Sequence, residues 1–161
     1  MALGDNTLAS ARGNTQRGRN PYMVQTTLNW ATALSDKGSA LAASDVVPVI
    51  AVPKGTMVLN AGIEVDTATD GSTFTVDLGT GVDPDVFVDG FDATSAAAVV
   101  AQNPAAYQPV MAVADDNIDV TIASLSGGAV TSGKFRVWAV LVDCTDIGDM
   151  AANEVDRDTL A

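Results

Sequence analysis

Histidine is absent from this sequence of 161 residues, and cysteine occurs once, at Cys144. Without histidine, a Ser-His-Asp or Cys-His catalytic set and a histidine-ligated zinc site are excluded. The single cysteine excludes a four-cysteine zinc site and any disulfide within the chain. Because no set of residues competent for catalysis or cofactor binding stands out, we expect a protein that is not an enzyme and has no cofactor.

Basic residues are also scarce: acids outnumber them 20 to 8, which gives a formal net charge of −12. A free-standing nucleic-acid-binding protein normally carries a basic face, so this balance argues against nucleic acid as a partner. No apolar run reaches the length of a transmembrane helix, so a membrane partner is not expected either. Residues 1–13 lack the apolar segment of a secretory signal, which predicts synthesis in a cytoplasm.

The few charges are unevenly distributed along the chain. Arg12, Arg17 and Arg19 lie in the first twenty residues, which contain a single acid, whereas six acids and one arginine follow from position 143 onward. We interpret residues 1–20 as an extended basic arm and residues 145–161 as an acidic tail. Either the two ends contact partners of different charge, or both are solvated tails.

What the sequence has in quantity is alternation of apolar and polar residues. The clearest case is Met57–Leu78, where two alternating runs, Gly62–Asp66 and Thr73–Leu78, are separated by Asp70-Gly71. An Asp-Gly pair tolerates the positive φ angles of a tight turn, so we predict that the two runs pair as an antiparallel hairpin with one dry face. The dry face consists of Ile63, Val65, Phe74, Val76 and Leu78.

Several other segments have the length and composition of β-strands. They are Tyr22–Trp30, Val46–Val52, Tyr107–Ala114, Ile118–Ile122 and Lys134–Asp143. Short strands separated by turns, with no linker between them, predict one all-β domain over residues 21–144, an antiparallel β-sandwich. Residues 31–45 form either a loop or a short helix interrupted at Gly38, and residues 93–100 form either a short helix or a surface loop.

The segment Lys134–Asp143 changes character along its length. It begins with alternating residues, but Trp138–Val142 is apolar at every position. A strand that is apolar on both faces is either central in a sandwich or part of a subunit interface. Trp138 and Val140 are therefore candidates for core residues or for subunit contacts.

Four aspartates, Asp83, Asp85, Asp89 and Asp92, form the one cluster of candidate metal ligands. Ca²⁺ favours several oxygen ligands on a flexible loop, but the spacing does not match an EF-hand, and aspartates also form turns in their own right. The nearby Gly79–Gly81 segment is followed by Val-Asp-Pro, so it is not a phosphate-binding loop. We assign no residue as a metal ligand.

Two stretches, residues 46–92 and 133–144, resemble a known family. They contain VPKGT, GIEVDTATDGSTFTVDLGTG, DPDVFVDG and KFRVWAVLVD. These motifs are similar to those of the small capsid-decorating proteins of tailed bacteriophages, including cyanophages, which are also called cement or head-stabilising proteins. From residue 46 to residue 144 the resemblance spans about two-thirds of the chain, and it leaves out the first 45 residues and the acidic tail.

The resemblance implies a β-sandwich of jelly-roll type and a structural role in the virion. Such a protein is made in the host cytoplasm and binds the outside of the capsid, commonly as a homotrimer, where it bridges neighbouring capsomers of the major capsid protein. On this interpretation Arg12, Arg17 and Arg19 contact the capsid, and Trp138 and Val140 belong to the core or to the trimer contact. The alternative is a virion fibre or receptor-binding module, since β-sandwiches also serve as adhesins.

Overall fold

The computed structural model describes residues 20–101 and 109–144, and all structural statements refer to these ranges. They contain nine strands and one helix. These are β1 (Tyr22–Asn29), α1 (Trp30–Lys37), β2 (Val46–Val52), β3 (Thr56–Thr67), β4 (Thr73–Thr80), β5 (Val88–Asp92), β6 (Val99–Ala101), β7 (Val110–Met111), β8 (Asp116–Ser126) and β9 (Lys134–Asp143). The predicted arm (residues 1–20, apart from Asn20) and the predicted tail (residues 145–161) lie outside the described residues.

The strands form two sheets in which every pair is antiparallel. The first sheet has the order β1–β9–β3–β6, and β7 pairs with β3 further along the edge that β6 occupies; the second has the order β2–β8–β4–β5. If β6 and β7 are counted as one interrupted edge strand, each sheet has four strands drawn from both halves of the chain. This interleaving is the jelly-roll arrangement, so the predicted all-β sandwich of jelly-roll type is confirmed.

The core lies between the sheets, and the alternation in the sequence predicts it well. All five residues of the predicted dry face are fully buried, and so are the alternating apolar residues Ile118, Val120 and Ile122 of β8. Three aromatic rings meet at the centre, where Trp30 packs edge-on against Phe74 and Phe135 with ring centroids 4.9 and 5.4 Å away. Edge-on packing of this kind adds to the stabilisation that burial alone provides.

The predicted hairpin is wrong. The strand β3 pairs with β9, and β4 pairs with β8 in the other sheet, so residues 68–72 carry the chain from one sheet to the other. Neither Asp70 nor Gly71 has a positive φ angle. An alternating run has one dry face whether its neighbour lies beside it in the same sheet or opposite it across the core. The alternation therefore does not distinguish these two arrangements, and the predicted partner was wrong for this reason.

The two segments left open by the sequence are resolved differently. The helix α1 occupies the start of residues 31–45: the Asn29 side chain caps it by accepting a hydrogen bond from the Ala31 N–H at 3.0 Å, and it ends at Gly38, whose φ is 68°. Glycine adopts this left-handed conformation without the steric cost that other residues incur. Residues 93–98 form no helix and connect β5 to β6 as a loop. No helix in the described part of the chain is long and apolar enough to cross a membrane.

Candidate interaction surfaces

The structure places Trp138 and Val140 on the outside of the first sheet. In β9 the inward positions are Phe135, Val137, Ala139 and Leu141, which are at most 2% exposed. Trp138 and Val140 alternate with them and are only half-buried. They are therefore not core residues, and their role as a subunit contact stays a prediction. Arg12, Arg17 and Arg19 lie outside the described residues.

Further apolar side chains lie on this outer face of the first sheet, where the polar residues Gln25 and Asn60 pair with Trp138 and Val140. Strand register places Met23 of β1 beside Val140, and Met57 of β3 between Val142 and Met111. Met23 is 63% exposed and Met111 is 40% exposed. We call this surface the outer apolar face, and it consists of Met23, Met57, Met111, Trp138, Val140 and Val142. Exposed apolar groups that are contiguous on a sheet mark contact surfaces more reliably than single exposed residues do.

The indole of Trp138 is fitted against the backbone of β3. A Cβ added to Gly62 would lie 2.5 Å from Cζ2 of Trp138 and 2.7 Å from the carbonyl oxygen of Val100. Glycine at this position therefore lets the ring lie close to the sheet. One border of the outer apolar face is ionic, because Nη1 of Arg136 lies 2.8 Å from Oε2 of Glu64.

The outward side of the second sheet is polar by comparison. Thr75 of β4 and Ser124 of β8 hydrogen-bond through their hydroxyl oxygens at 2.7 Å. On the same strands, burial raises the pKa of Asp77 and of Asp119 above the usual range for aspartate, and the Asp77 carboxylate accepts a hydrogen bond from the Gly90 N–H at 2.7 Å. The two outer surfaces of the sandwich thus differ in character: one is apolar and the other carries hydroxyl and carboxylate groups.

A cavity of about 570 Å³ opens at the end of the sandwich where β2 and β9 finish and β3 begins. We call it the end cavity. Its wall is formed mainly by apolar residues, namely Val52, Val58, Val86, Val110, Met111 and Ala112. Two valines at its mouth, Val82 and Val113, are 90% and 81% exposed. Three acids also line it: Asp83, Asp115 and Asp116.

The loops around the end cavity are held by backbone hydrogen bonds. The Lys54 N–H donates to Oδ1 of Asp115 at 2.9 Å, which ties the β2–β3 turn to the loop before β8. The Thr80 N–H donates to the carbonyl oxygen of Asp83 at 2.8 Å and closes the turn that presents Val82. The two exposed valines therefore sit on loops with defined positions rather than on loose connections.

No protein-family model matches the sequence, and no curated protein matches it. Among solved structures, a chain in the capsid asymmetric unit of cyanophage Pam1 is similar, with a TM-score of 0.61, 15% identity, and coverage of 88% of this chain and 96% of that chain. A chain in the acid-stable capsid of Helicobacter pylori bacteriophage KHP30 has a TM-score of 0.54 at 13% identity, covering 78% of this chain and 89% of that one. A chain in the capsid of Ralstonia phage GP4 has a TM-score of 0.53 at 18% identity, covering 80% of this chain and 86% of that one.

The fold is that of chains in phage capsids. At these identities the likeness establishes the fold alone, and it extends over most of the length of both partners in each comparison. The shared fold therefore extends over most of each neighbour's chain and not over a small part of it.

Asp83 and Asp92 interact with residues that are close to them in the chain. The Asp92 carboxylate accepts hydrogen bonds from the N–H and hydroxyl of Thr94, which lower its pKa. Hydrogen bonding to Asp85 and repulsion by it raise the pKa of the Asp83 carboxyl. Among the described residues, no group of three or more histidine, cysteine or acidic side chains is placed to hold a metal ion.

Little in the sequence predicts the end cavity. Its walls come from strands and loops that are distant along the chain, so no local motif brings them together. One signal was present: Val82 stands alone between Gly81 and Asp83 in a turn that needs no apolar residue. The position of Trp138 also had a signal, because the alternation set by Phe135 and Val137 points Trp138 outward.

Proposed function

We propose that this chain is a structural protein of a phage virion that binds the outside of the capsid and bridges neighbouring capsomers, as a cement or decoration protein. The observation that carries the proposal is the jelly-roll sandwich matched over 88% of this chain and 96% of a chain in the Pam1 capsid. The family resemblance of the sequence motifs supports the finer assignment to the decorating class. The partner is then the major capsid protein, and the location is the capsid exterior.

The outer apolar face and the basic segment have different tasks in this proposal. The outer apolar face, which includes Trp138 and Val140, makes the contact between copies in a homotrimer. The basic residues Arg12, Arg17 and Arg19 contact the capsid. Many copies that each bind a repeated lattice gain affinity through multivalency, which suits a protein that strengthens a shell.

The test uses purified capsids that lack this protein. We expect the intact chain to bind them in hundreds of copies per particle, and a variant lacking residues 1–20 to fold normally but to leave the capsids undecorated. Circular dichroism reports the fold, and gel densitometry of sedimented particles reports the number of copies. A variant in which Arg12, Arg17 and Arg19 are all replaced by glutamine keeps the length of the segment and removes only its positive charges, which separates the effect of charge from that of length.

The outcomes separate the parts of the proposal. Unchanged occupancy without residues 1–20 would contradict the assignment of the capsid contact to the arm. Absence of binding by the intact chain would contradict the cement function. A few copies per particle in native virions, together with binding of the isolated protein to host cells, would instead favour a fibre or receptor-binding module.

A further inference from the structure

We propose that the end cavity is the docking site for a segment of the capsid protein that carries an aliphatic side chain between lysine or arginine residues. This inference rests on the proposed cement function and deepens it by assigning a recognition site and the chemistry of its partner. The site shares Met111 with the outer apolar face, and the other five residues of that face do not line it.

The end cavity and its mouth are apolar. The cavity has a volume of about 570 Å³, which lies within the range of binding pockets in proteins. Val82 and Val113 are 90% and 81% exposed at its mouth, and Met111 beside them is 40% exposed. Single exposed apolar residues are ordinary, but three around one apolar opening form a surface whose burial by an aliphatic side chain is favourable.

The rim of the end cavity is acidic. Of the residues that the structure describes, the lining includes Asp83, Asp115 and Asp116 and no lysine or arginine. Acids at the rim of an apolar opening attract cationic groups and disfavour anionic ones, which gives selectivity in addition to affinity. A partner that presents an aliphatic side chain between basic residues can place the aliphatic group against the apolar wall and the basic groups beside the acidic rim.

Other occupants fit less well. A second copy of this chain brings a net charge of −12 and the same three acids, so contact between two such openings places like charges together. A small polar ligand needs several convergent hydrogen-bonding groups inside the pocket, whereas here the wall is mainly aliphatic and the carboxylates lie on loops and at the start of β8. A bound metal ion needs a cluster of ligands that the described residues do not provide.

The test compares variants for binding to capsids that lack this protein. Val82→Thr combined with Val113→Thr keeps the size of both side chains and removes apolar surface from the mouth; because both positions are exposed, the fold is expected to be unaffected. We expect capsid affinity to fall by about tenfold or more, since residues at the centre of a contact carry most of its energy. Val46→Thr, at a 54% exposed position outside the cavity, is the matched control and should bind as the unmodified chain does.

A second pair of variants tests charge. Asp83→Asn combined with Asp116→Asn should weaken binding and reduce its dependence on salt concentration, whereas Asp66→Asn, an exposed aspartate at the opposite end of β3, should do neither. Binding of the Val82→Thr/Val113→Thr variant at full affinity would overturn the inference while leaving the cement function intact. Failure of the unmodified chain to bind capsids would overturn the proposed function as well.

Two further outcomes would identify a different occupant and overturn the inference. If the Val82→Thr/Val113→Thr variant changes oligomeric state in light scattering, the site is occupied by a second copy. If a synthetic peptide of residues 1–20 binds the variant that lacks them, and the two valine substitutions abolish this binding, the site is occupied by the chain's own basic segment. Neither effect is expected.

Discussion

At the scale of single residues, the Gly79–Gly81 segment shows that a glycine can be required for a reason other than a turn. A segment with two glycines is typical of a turn, but Gly79 lies within β4 and is buried. A Cβ added there would overlap the carbonyl oxygens of Asp83 and Pro84, so the following turn folds directly onto the strand. The requirement is therefore close backbone approach, not a positive φ angle.

This close approach predicts that Gly79→Ala is strongly destabilising. The overlapping atoms belong to the backbone and cannot rotate away, so we expect a loss of about 3 kcal/mol in the free energy of unfolding, at the upper end for overpacking. Gly81→Ala is the control: its Cβ would meet only the carboxylate oxygen of Asp116, at 3.0 Å, and that side chain can turn aside. Urea unfolding of both variants measures the difference. Equal stability of the two variants would contradict the packing of the 83–84 turn on β4.

Residue burial was largely predictable because inward positions are apolar whichever sheet they belong to. Ile63, Val76 and Ile122 follow this rule without exception. The burial of Trp138 was harder to predict. Its size and its apolar neighbours indicate the core, whereas its place in the alternation of β9 puts it on the outer side of the sheet. The size of a side chain indicates that it is in contact with something, but only the phase indicates on which side of the sheet the contact lies.

At the scale of elements, the connection between β3 and β4 determines which strands can pair. Its anchor is Asp70, whose carboxylate accepts hydrogen bonds from the backbone N–H groups of Thr131 and Ser132 at 2.8 and 3.1 Å and from the Thr131 hydroxyl. These contacts join loops that are about sixty residues apart in the chain. Alternation within β3 and β4 predicts each strand, but nothing local in the sequence encodes a partner so distant.

The Asp70 anchor predicts a stability effect that depends on pH. Hydrogen bonds from Thr131 lower the pKa of Asp70 to about 2. A lowered pKa in the folded state gives stability that is complete above the unfolded value of about 4 and is lost as the pH falls toward 2. We expect Asp70→Asn to lower the free energy of unfolding by roughly 1 kcal/mol at pH 7, a modest amount because the carboxylate is exposed, and by less near pH 2.

The measurement for Asp70 is urea unfolding of the unmodified chain and the variant across this pH range. Asp66→Asn, which removes the same charge from an exposed position near the end of β3, is the control and should show no comparable difference. A destabilisation by Asp70→Asn that is the same at pH 7 and pH 2 would mean that the carboxylate charge is not what holds the two loops together.

At the scale of the whole molecule, the asymmetry between the two outer surfaces is the feature most relevant to assembly. Copies that each carry a net charge of −12 repel one another, and the repulsion is smallest where a surface carries little net charge. The outer apolar face meets this condition, because its side chains are uncharged and Arg136 and Glu64 at its border are paired. The opposite surface, with Asp77 and Asp119, does not. The chain therefore has one broad sheet face on which association between copies is physically favourable.

Assembly through this face predicts that a negative charge placed on it separates the copies. Met23 is 63% exposed on the edge strand β1, so Met23→Glu should leave the fold intact but convert the proposed trimer to monomers in sedimentation equilibrium. Thr73→Glu adds the same charge at an exposed position on the second sheet and should leave the trimer unchanged. Because multivalent binding needs linked copies, Met23→Glu should also reduce capsid occupancy at low protein concentration and less so at high concentration. A trimer that survives Met23→Glu but dissociates with Thr73→Glu would place the contact on the opposite sheet.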